Sequence, residues 1–224
     1  VYGMRFSYRL GDTWTRKCSQ PLIYMVMRDD FDLLLVDKAR EAGALLVEGQ
    51  RAEEMRPSAA GIEVVTPGRR FNCQILVGAD GASSAVARNF GLMTSTFNVG
   101  VEAEVPVSDE VMAKWESVVG LDFGYGGGQY VWLFPKRAHL SIGAMGPRHA
   151  AKGLIARCRR FMEKEGLTDS SATFKAGLGP VRKRGAAIQH HRLILIGDAA
   201  GLTHPLTGEG IYHAIKSAQI AAPV

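Results

Sequence analysis

The chain has 224 residues, a formal net charge of +5 and 46% hydrophobic residues, a composition that can fill the core of one or two globular domains and excludes a disordered chain. No apolar run approaches the roughly 18 residues of a membrane-spanning helix, and the first residues do not form a signal peptide. The three cysteines, Cys18, Cys73 and Cys158, are widely spaced and include no C-x-x-C pair, which argues against a metal site and indicates a reducing compartment.

Residues 1–95 mix strand and helix patterns. The apolar run 22–27 predicts a strand, and residues 31–42 predict an amphipathic helix that Gly43 ends. Three further strands are predicted over residues 44–47, 61–66 and 69–74, with a Pro67-Gly68 turn between the last two. Residues 75–81, ILVGADG, predict a strand that ends in a Gly-x-Asp-Gly turn, and Ser83 and Ser84 after it are suitable helix N-caps.

The block from residue 96 to residue 175 has the alternation of an antiparallel sheet. Its predicted elements are strands over 96–107, 119–123, 129–134 and 138–144, and a helix over 151–165 that Gly166 ends. Since Tyr130, Trp132 and Phe134 are spaced by two, they share one face of a strand and form a wide apolar wall suited to a hydrophobic substrate. The alternative is an aromatic sheet core.

The segment from residue 193 to residue 221 is the most informative. The apolar run 193–196 predicts a buried strand, Gly197 allows a sharp turn, and Asp198 then places a carboxylate beyond the carboxyl end of the strand, where open α/β sheets bind ligands. Gly208 and Gly210 leave the next helix N-terminus accessible to an electron-rich ligand. A carboxylate for hydroxyl groups and a helix N-terminus for an acceptor-rich ring together predict a flavin site.

These segments resemble the geranylgeranyl reductase family of FAD-dependent oxidoreductases, which belongs to the glutathione-reductase-type flavoproteins together with aromatic hydroxylases and halogenases. The resemblance rests on the Gly-Asp motif at residues 197–211, the Gly-x-Asp-Gly turn, Arg28 followed by Phe-Asp-Leu-Leu, and the Tyr-x-Trp-x-Phe-Pro run with Gly143 on the returning strand. Met145 stands where the family has a second glycine, which could reshape the substrate tunnel.

The resemblance implies the residues of two sites. The implied cofactor-binding residues are Arg28, Asp80, Gly81, Gly197, Asp198, Pro205, Gly208, Glu209, Gly210 and Ile211. The implied substrate-binding residues are Tyr130, Trp132, Phe134, Pro135 and Gly143. No catalytic residue is assigned. His204, in the loop before Pro205, is a weak candidate as a donor to the ring or a proton source, with a loop hydrogen bond as the alternative.

The fold class is predicted as mixed α/β, a partial Rossmann-like FAD-binding domain with an inserted antiparallel substrate sheet. No G-x-G-x-x-G occurs, so we expect an internal piece of a longer flavoprotein that lacks the N-terminal dinucleotide unit and is inactive alone. The expected domains are 1–95, part of the FAD-binding domain, 96–175, the substrate-binding sheet, and 176–224, the return to the FAD-binding domain.

The activity implied by the resemblance is hydride transfer from reduced FAD to prenyl C=C bonds of a geranylgeranyl-type isoprenoid or lipid, with NAD(P)H or reduced ferredoxin as electron donor. A flavin monooxygenase or halogenase is the first alternative, and a truncated non-catalytic fragment is the second. The basic clusters at 157–160 and 182–184 lack a nucleic-acid recognition pattern. Most such runs are solvated faces, and the alternative hypothesis is attraction to an anionic substrate head group or an acidic membrane surface. The expected location is the cytoplasm, with peripheral membrane contact.

Overall fold

The computed structural model describes residues 1–167 and 172–223, and these residues form two compact units. The sheet unit consists of Val1–Leu46 and Val99–Gly177, and the motif unit consists of Val47–Asn98 and Leu178–Val224. Four residues of the predicted 96–175 domain, 168–171, lie outside the described residues. The predicted functional division at residues 95 and 175 stays a prediction. In the structure, residues 1–46 belong to the same compact unit as residues 99–177.

The elements alternate between strands and helices, which confirms the predicted mixed α/β class. The strands are β1 Gly3–Tyr8, β2 Thr13–Lys17, β3 Glu54–Ser58, β4 Gly61–Thr66, β5 Arg69–Cys73, β6 Leu76–Gly78, β7 Thr96–Pro106, β8 Val118–Phe123, β9 Tyr130–Pro135, β10 His139–Pro147, β11 Lys175–Val181, β12 Gln189–His190 and β13 Leu193–Leu195. The α-helices are α1 Arg28–Glu41, α2 Ala85–Asn89, α3 Asp109–Trp115, α4 Leu154–Lys164 and α5 Ile211–Ala221. Within the described part of the chain, no helix is both long enough and apolar enough to cross a bilayer.

One large sheet organises the sheet unit. Its strand order is β11-β7-β10-β9-β8-β1-β2, with β1 parallel to β8 and antiparallel to β2. Helix α4 covers one face with Leu154, Cys158, Phe161 and Met162, which are buried against inward residues of the strands. Burial raises the pKa of the Cys158 thiol to about 12, so this cysteine behaves as a small apolar core residue.

Two parallel strands position the glycine-aspartate turns of the motif unit. Strand β13 lies beside β6 in parallel, with Leu195 opposite Gly78, and β12 completes a three-stranded sheet. Because parallel strands end at the same edge of a sheet, the turns that carry Asp80 and Asp198 follow neighbouring strand ends. A second sheet, β3-β4-β5, contains the predicted Pro67-Gly68 turn, in which Gly68 has a φ of +77°.

Two predicted strands are wrong. Residues 22–27 and 44–47 form no strand among the described residues. A strand requires a partner edge for its backbone hydrogen bonds, and no described strand pairs with either segment. In the second segment Leu45 is 87% exposed. Both runs are apolar, and an apolar run by itself does not specify which edge will pair with it.

Five strands and one α-helix have no counterpart among the predicted elements. The strands are β1, β2, β3, β11 and the two-residue β12, and the helix is α3. For the helix a signal was available, because Ser108 caps it by accepting a hydrogen bond from the Val111 N–H, and Asp109 and Glu110 fill its first turn. For β3 the signal was weak, since Pro57 interrupts its sequence and Met55 is its only buried residue.

Candidate functional site

The Gly-Asp turn is fixed against helix α5. Gly197 has a φ of +54° and donates its N–H to Ser217 Oγ at 3.0 Å. A Cβ added to Gly197 would lie 3.1 Å from the Ala214 Cβ, so glycine here satisfies both the left-handed backbone and the close packing of the turn on the helix. The turn therefore holds the next residue, Asp198, in a defined position.

Asp198 is half-buried and retains free acceptor capacity. Its Oδ1 accepts a hydrogen bond from the Thr203 hydroxyl at 3.0 Å, and no described residue donates to Oδ2. A carboxylate has about four acceptor positions, so most of this group is available to hydroxyl donors of a ligand.

The N-terminus of helix α5 lies beside this carboxylate. A Cβ added to Gly210 would be 3.5 Å from Asp198 Oδ1. Glu209 caps the helix by accepting the Tyr212 N–H at its Oε1 at 2.9 Å, while the N–H groups of Gly210 and Ile211 have no partner among the described residues. Gly208, with a φ of +68°, requires the left-handed backbone that glycine tolerates. Free N–H groups and the positive end of the helix dipole therefore face the space near Asp198.

The loop between Asp198 and the helix is held by its own hydrogen bonds. Asn98 donates its side-chain amide to the Pro205 carbonyl at 2.9 Å. His204 Nδ1 accepts the Thr207 N–H at 3.1 Å, and its ring stacks on His213 with the centroids 6.0 Å apart. His204 thus makes the loop hydrogen bond that was the alternative to a chemical role, and that role stays a prediction.

Asp80 has a different environment from Asp198. Its Oδ1 accepts the Ser84 hydroxyl at 2.5 Å, and its Oδ2 accepts the N–H groups of Ala85 and Val86 at 2.6 and 3.1 Å. Ser84 in turn accepts the Ala87 N–H at 2.8 Å, as its predicted N-cap role requires. The Asp80 carboxylate therefore organises the start of helix α2, while Gly81, with a φ of +78° and open space where a Cβ would be, leaves the turn accessible.

Arg28 lies in the sheet unit at the first residue of α1. Its Nε and Nη2 donate to the two carboxylate oxygens of Asp32 at 3.0 and 2.8 Å. This bidentate contact holds the pKa of the Asp32 carboxyl below its ordinary value. The structure explains the Arg-x-x-x-Asp spacing as a pair one helical turn apart, and a contact between Arg28 and a cofactor stays a prediction.

The predicted aromatic residues share one face of the sheet. The rings of Tyr130 and Trp132 are 5.9 Å apart, as are those of Trp132 and Phe134. Both Tyr130 and Trp132 are only 9% exposed and cluster with Met145, and Phe134 is partly buried. Gly143 lies opposite Trp132 in the register, and a Cβ there would be 2.2 Å from Trp132 Cζ2. Pro135 is the last residue of β9.

The aromatic face is wider than the sequence indicated. Phe123 lies 5.8 Å from Tyr130, Phe6 lies 6.3 Å from Phe123, and Trp14 lies 5.5 Å from Phe6, as centroid distances. We call the row from Trp14 to Phe134 the aromatic row. The first half of the aromatic row was not predicted from the sequence, although the alternation of side chains in residues 4–8 and 13–17 is typical of strands. Two buried polar atoms on this face, Trp132 Nε1 and Ser141 Oγ, have no hydrogen-bond partner among the described residues.

A family model of the FAD-binding domain matches residues 4–222. The chain belongs to the FAD-binding domain family. This membership supports FAD as the cofactor, and the free carboxylate oxygen of Asp198 with the free N–H groups of Gly210 and Ile211 fits a ligand with hydroxyl groups and an acceptor-rich ring. The resemblance stated from the motifs is confirmed at the level of the family.

Two relatives of this chain are named as reductases. Digeranylgeranylglycerophospholipid reductase 2 of Methanothermobacter thermautotrophicus is 32% identical over 213 residues, which cover 90% of this chain and 54% of that protein. The chloroplastic geranylgeranyl diphosphate reductase of Nicotiana tabacum is 30% identical over 217 residues, which cover 89% of this chain and 47% of that protein. The chain therefore spans about half the length of the curated relatives it matches.

A solved structure shares the fold. The geranylgeranyl bacteriochlorophyll reductase-like protein from Thermoplasma acidophilum aligns with a TM-score of 0.84 over 100% of this chain and 60% of that protein, at 23% identity. At this identity the likeness concerns the fold alone. It agrees with the mixed α/β architecture described for the two units.

Proposed function

We propose that this chain supplies flavin-binding and substrate-binding residues to an FAD-dependent reductase that hydrogenates prenyl C=C bonds of a geranylgeranyl-type isoprenoid or lipid. The observation that carries the cofactor assignment is the Asp198 carboxylate beside the open N-terminus of α5, with a Gly210 Cβ position 3.5 Å from Oδ1. The names of the two prenyl reductases support the substrate class. NAD(P)H or reduced ferredoxin is the proposed electron donor.

The motif unit has the groups to hold the cofactor. Asp198 Oδ2 would accept a ribityl hydroxyl, and the N–H groups of Gly210 and Ile211 would donate to the electron-rich edge of the ring. Reduced FAD, when bound, supplies the hydride that is added to a carbon–carbon double bond. Since His204 Nδ1 accepts the Thr207 N–H, a neutral His204 ring carries its proton on Nε2, and we propose this atom as the proton donor.

The sheet unit has the groups suited to an isoprenoid chain. The aromatic row is a continuous apolar strip across several strands. Such a strip can align an alkene by apolar contact and exclude water from it. Tyr130 and Trp132 are nearly buried, so the more exposed members, including Phe134 and Phe123, offer the larger contact area to a substrate. Peripheral contact with a membrane is part of the same proposal.

The cofactor assignment predicts that Asp198→Ala loses most of the bound FAD. Charge-assisted hydrogen bonds contribute about 1.5–3 kcal/mol each, so loss of one such bond should weaken FAD binding by about 10- to 150-fold. The measurement is the flavin-to-protein absorbance ratio of the protein expressed from its own gene. Asp109→Ala, which removes an exposed aspartate at the start of α3, is the matched control and should retain FAD. Full FAD content in Asp198→Ala would refute the assignment.

The reaction class predicts activity without oxygen. With chemically reduced flavin and a geranylgeranyl substrate under anaerobic conditions, the protein should yield a product with fewer C=C bonds, detected by mass spectrometry. Reduction adds two hydrogen atoms per double bond and requires no oxygen atom. A strict requirement for molecular oxygen with a hydroxylated or halogenated product would instead identify a monooxygenase or halogenase.

A further inference from the structure

A basic cleft lies in the sheet unit, apart from the aromatic row. It encloses about 360 Å³ and is lined by Arg9, Leu10, Gly124, Tyr125, Arg157 and Arg160. We call it the arginine cleft. The residues come from the β1–β2 turn, the β8–β9 loop and helix α4. Tyr125 packs against the core cluster beneath α4, which places the cleft on the face of the sheet opposite to the aromatic row.

Across residues 1–167 and 172–223, no ion pair neutralises the positive charge of the arginine cleft. None of its three arginines forms a salt bridge with any residue that the structure describes. The carboxylate that contacts the lining residues, Asp122, is fully buried. Its oxygens accept the Ser7 hydroxyl at 2.6 Å, the Leu10 N–H at 3.0 Å and the Tyr125 hydroxyl. Asp122 therefore supports the walls of the cleft instead of pairing with its arginines.

Two of the arginines are held in place by neutral partners. Arg157 Nη1 donates to Gln129 Oε1 at 2.5 Å, and its guanidinium lies 5.1 Å from the Tyr125 ring centroid. Arg9 Nε donates to the Gly124 carbonyl at 2.8 Å. Each guanidinium has five N–H donors, so both retain several donors for a ligand. Ordered side chains with free donors lose little conformational freedom when a ligand binds.

The turn that carries Arg9 is a tight hairpin turn with positive φ at two non-glycine residues. Arg9 and Leu10 have φ values of +50° and +60°, in the left-handed region that non-glycine residues disfavour. Asp122 holds this turn through the Leu10 N–H, and Lys164 Nζ donates to the Leu10 and Gly11 carbonyls. Arg9 and Leu10 are the two central residues of the hairpin turn between β1 and β2, which the Gly11 N–H closes on the Tyr8 carbonyl at 2.9 Å, and positive φ at both is the geometry of a type I′ turn. The buried carboxylate and the lysine fix this turn and, with it, the position of Arg9.

We propose that the arginine cleft binds the phosphate or diphosphate group of an anionic ligand. Planar guanidinium groups match phosphate oxygens in bidentate fashion, and the volume falls within the range of small-ligand sites. The proposal extends beyond the flavin site and does not depend on it, because every lining residue belongs to the sheet unit. The ligand is either a soluble diphosphate or a phosphate-bearing lipid head group, and the experiment separates these sources.

The first arm titrates the protein expressed from its own gene with inorganic diphosphate by calorimetry. We expect saturable binding at one site, weakened about tenfold or more in Arg160→Gln. The matched control is Arg159→Gln, which removes the same charge from the neighbouring residue, whose guanidinium lies over Phe174 and outside the cleft. Melting curves should match among the three proteins, because both arginines are exposed. No saturable binding, or an equal loss in the two variants, would overturn the proposal.

The second arm measures sedimentation with vesicles of phosphatidylcholine alone, with phosphatidic acid, or with phosphatidylglycerol at equal negative charge. If the protein sediments with phosphatidic acid, and Arg160→Gln reduces this sedimentation while Arg159→Gln preserves it, the result would support the site and identify a lipid head group. Diphosphate binding without sedimentation would support the site and identify a soluble ligand. A third outcome would contradict a phosphate site. In it the protein does not bind diphosphate, sediments equally with both anionic lipids, and Arg160→Gln leaves that sedimentation unchanged.

Discussion

Gly143→Ala is expected to lower the free energy of unfolding by about 3 kcal/mol, at the upper end of the cost of overpacking a core. The added Cβ would lie 2.2 Å from Trp132 Cζ2 and 2.4 Å from the Val101 carbonyl oxygen. The indole could shift within its cluster, but the carbonyl belongs to strand β7 of the same sheet and cannot move without disturbing the ladder. The measurement is urea unfolding monitored by circular dichroism.

Gly100→Ala is the matched control for this substitution. Gly100 lies in β7 near the same indole, but its added Cβ would have only Trp132 Cη2 nearby, at 3.8 Å, which is ordinary van der Waals contact. We expect Gly100→Ala to change stability by less than about 1 kcal/mol. Repeating Gly143→Ala in a Trp132→Ala background should recover part of the loss, since only the contact with the Val101 carbonyl would remain. Equal stability of Gly143→Ala and Gly100→Ala would show that Gly143 does not lie as close to the Trp132 ring and the Val101 carbonyl as the structure indicates.

Trp132→Ala is expected to cost about 4 kcal/mol of stability, because the residue is only 9% exposed and truncating a buried Trp costs about 3–5 kcal/mol. Trp14→Ala serves as control. Trp14 lies at the other end of the aromatic row and is 54% exposed, so its loss should cost less than about 1 kcal/mol. Melting curves of both variants test the difference.

Trp132→Phe separates packing from polarity at the same position. It retains a ring and removes Nε1, which is buried and has no hydrogen-bond partner in the part of the chain that the structure describes. An unsatisfied buried donor costs about 1–3 kcal/mol, so its removal should offset part of the lost volume, and Trp132→Phe should be clearly more stable than Trp132→Ala. Unchanged melting of Trp132→Ala combined with lost turnover would instead show that Trp132 contacts the substrate more than it supports the core.

The sequence by itself determined the elements whose signals are local. The strand before Asp198 and the helix that begins at Ile211 are where the apolar run and the glycines predict them. The shared face of Tyr130, Trp132 and Phe134 follows from the two-residue period of a strand. The Gly-Asp and Gly-x-Asp-Gly turns also carried the resemblance to the flavoprotein family. Both features of these turns, a glycine where the chain bends and a carboxylate directly after a strand, can be recognised from the order of residues alone.

The tertiary structure decided what depends on partners distant in the chain. Residues 22–27 and 44–47 have strand-like composition, yet no described edge pairs with them. Asp80 and Asp198 occupy similar sequence contexts, but one carboxylate is used by the start of α2 and the other keeps a free oxygen. Arg9 and Arg157, 148 positions apart by their numbers, line one cleft. Which strands pair, which carboxylate oxygens already accept hydrogen bonds and which charged side chains lie close together all depend on contacts between residues distant in the chain. The order of residues alone does not specify those contacts.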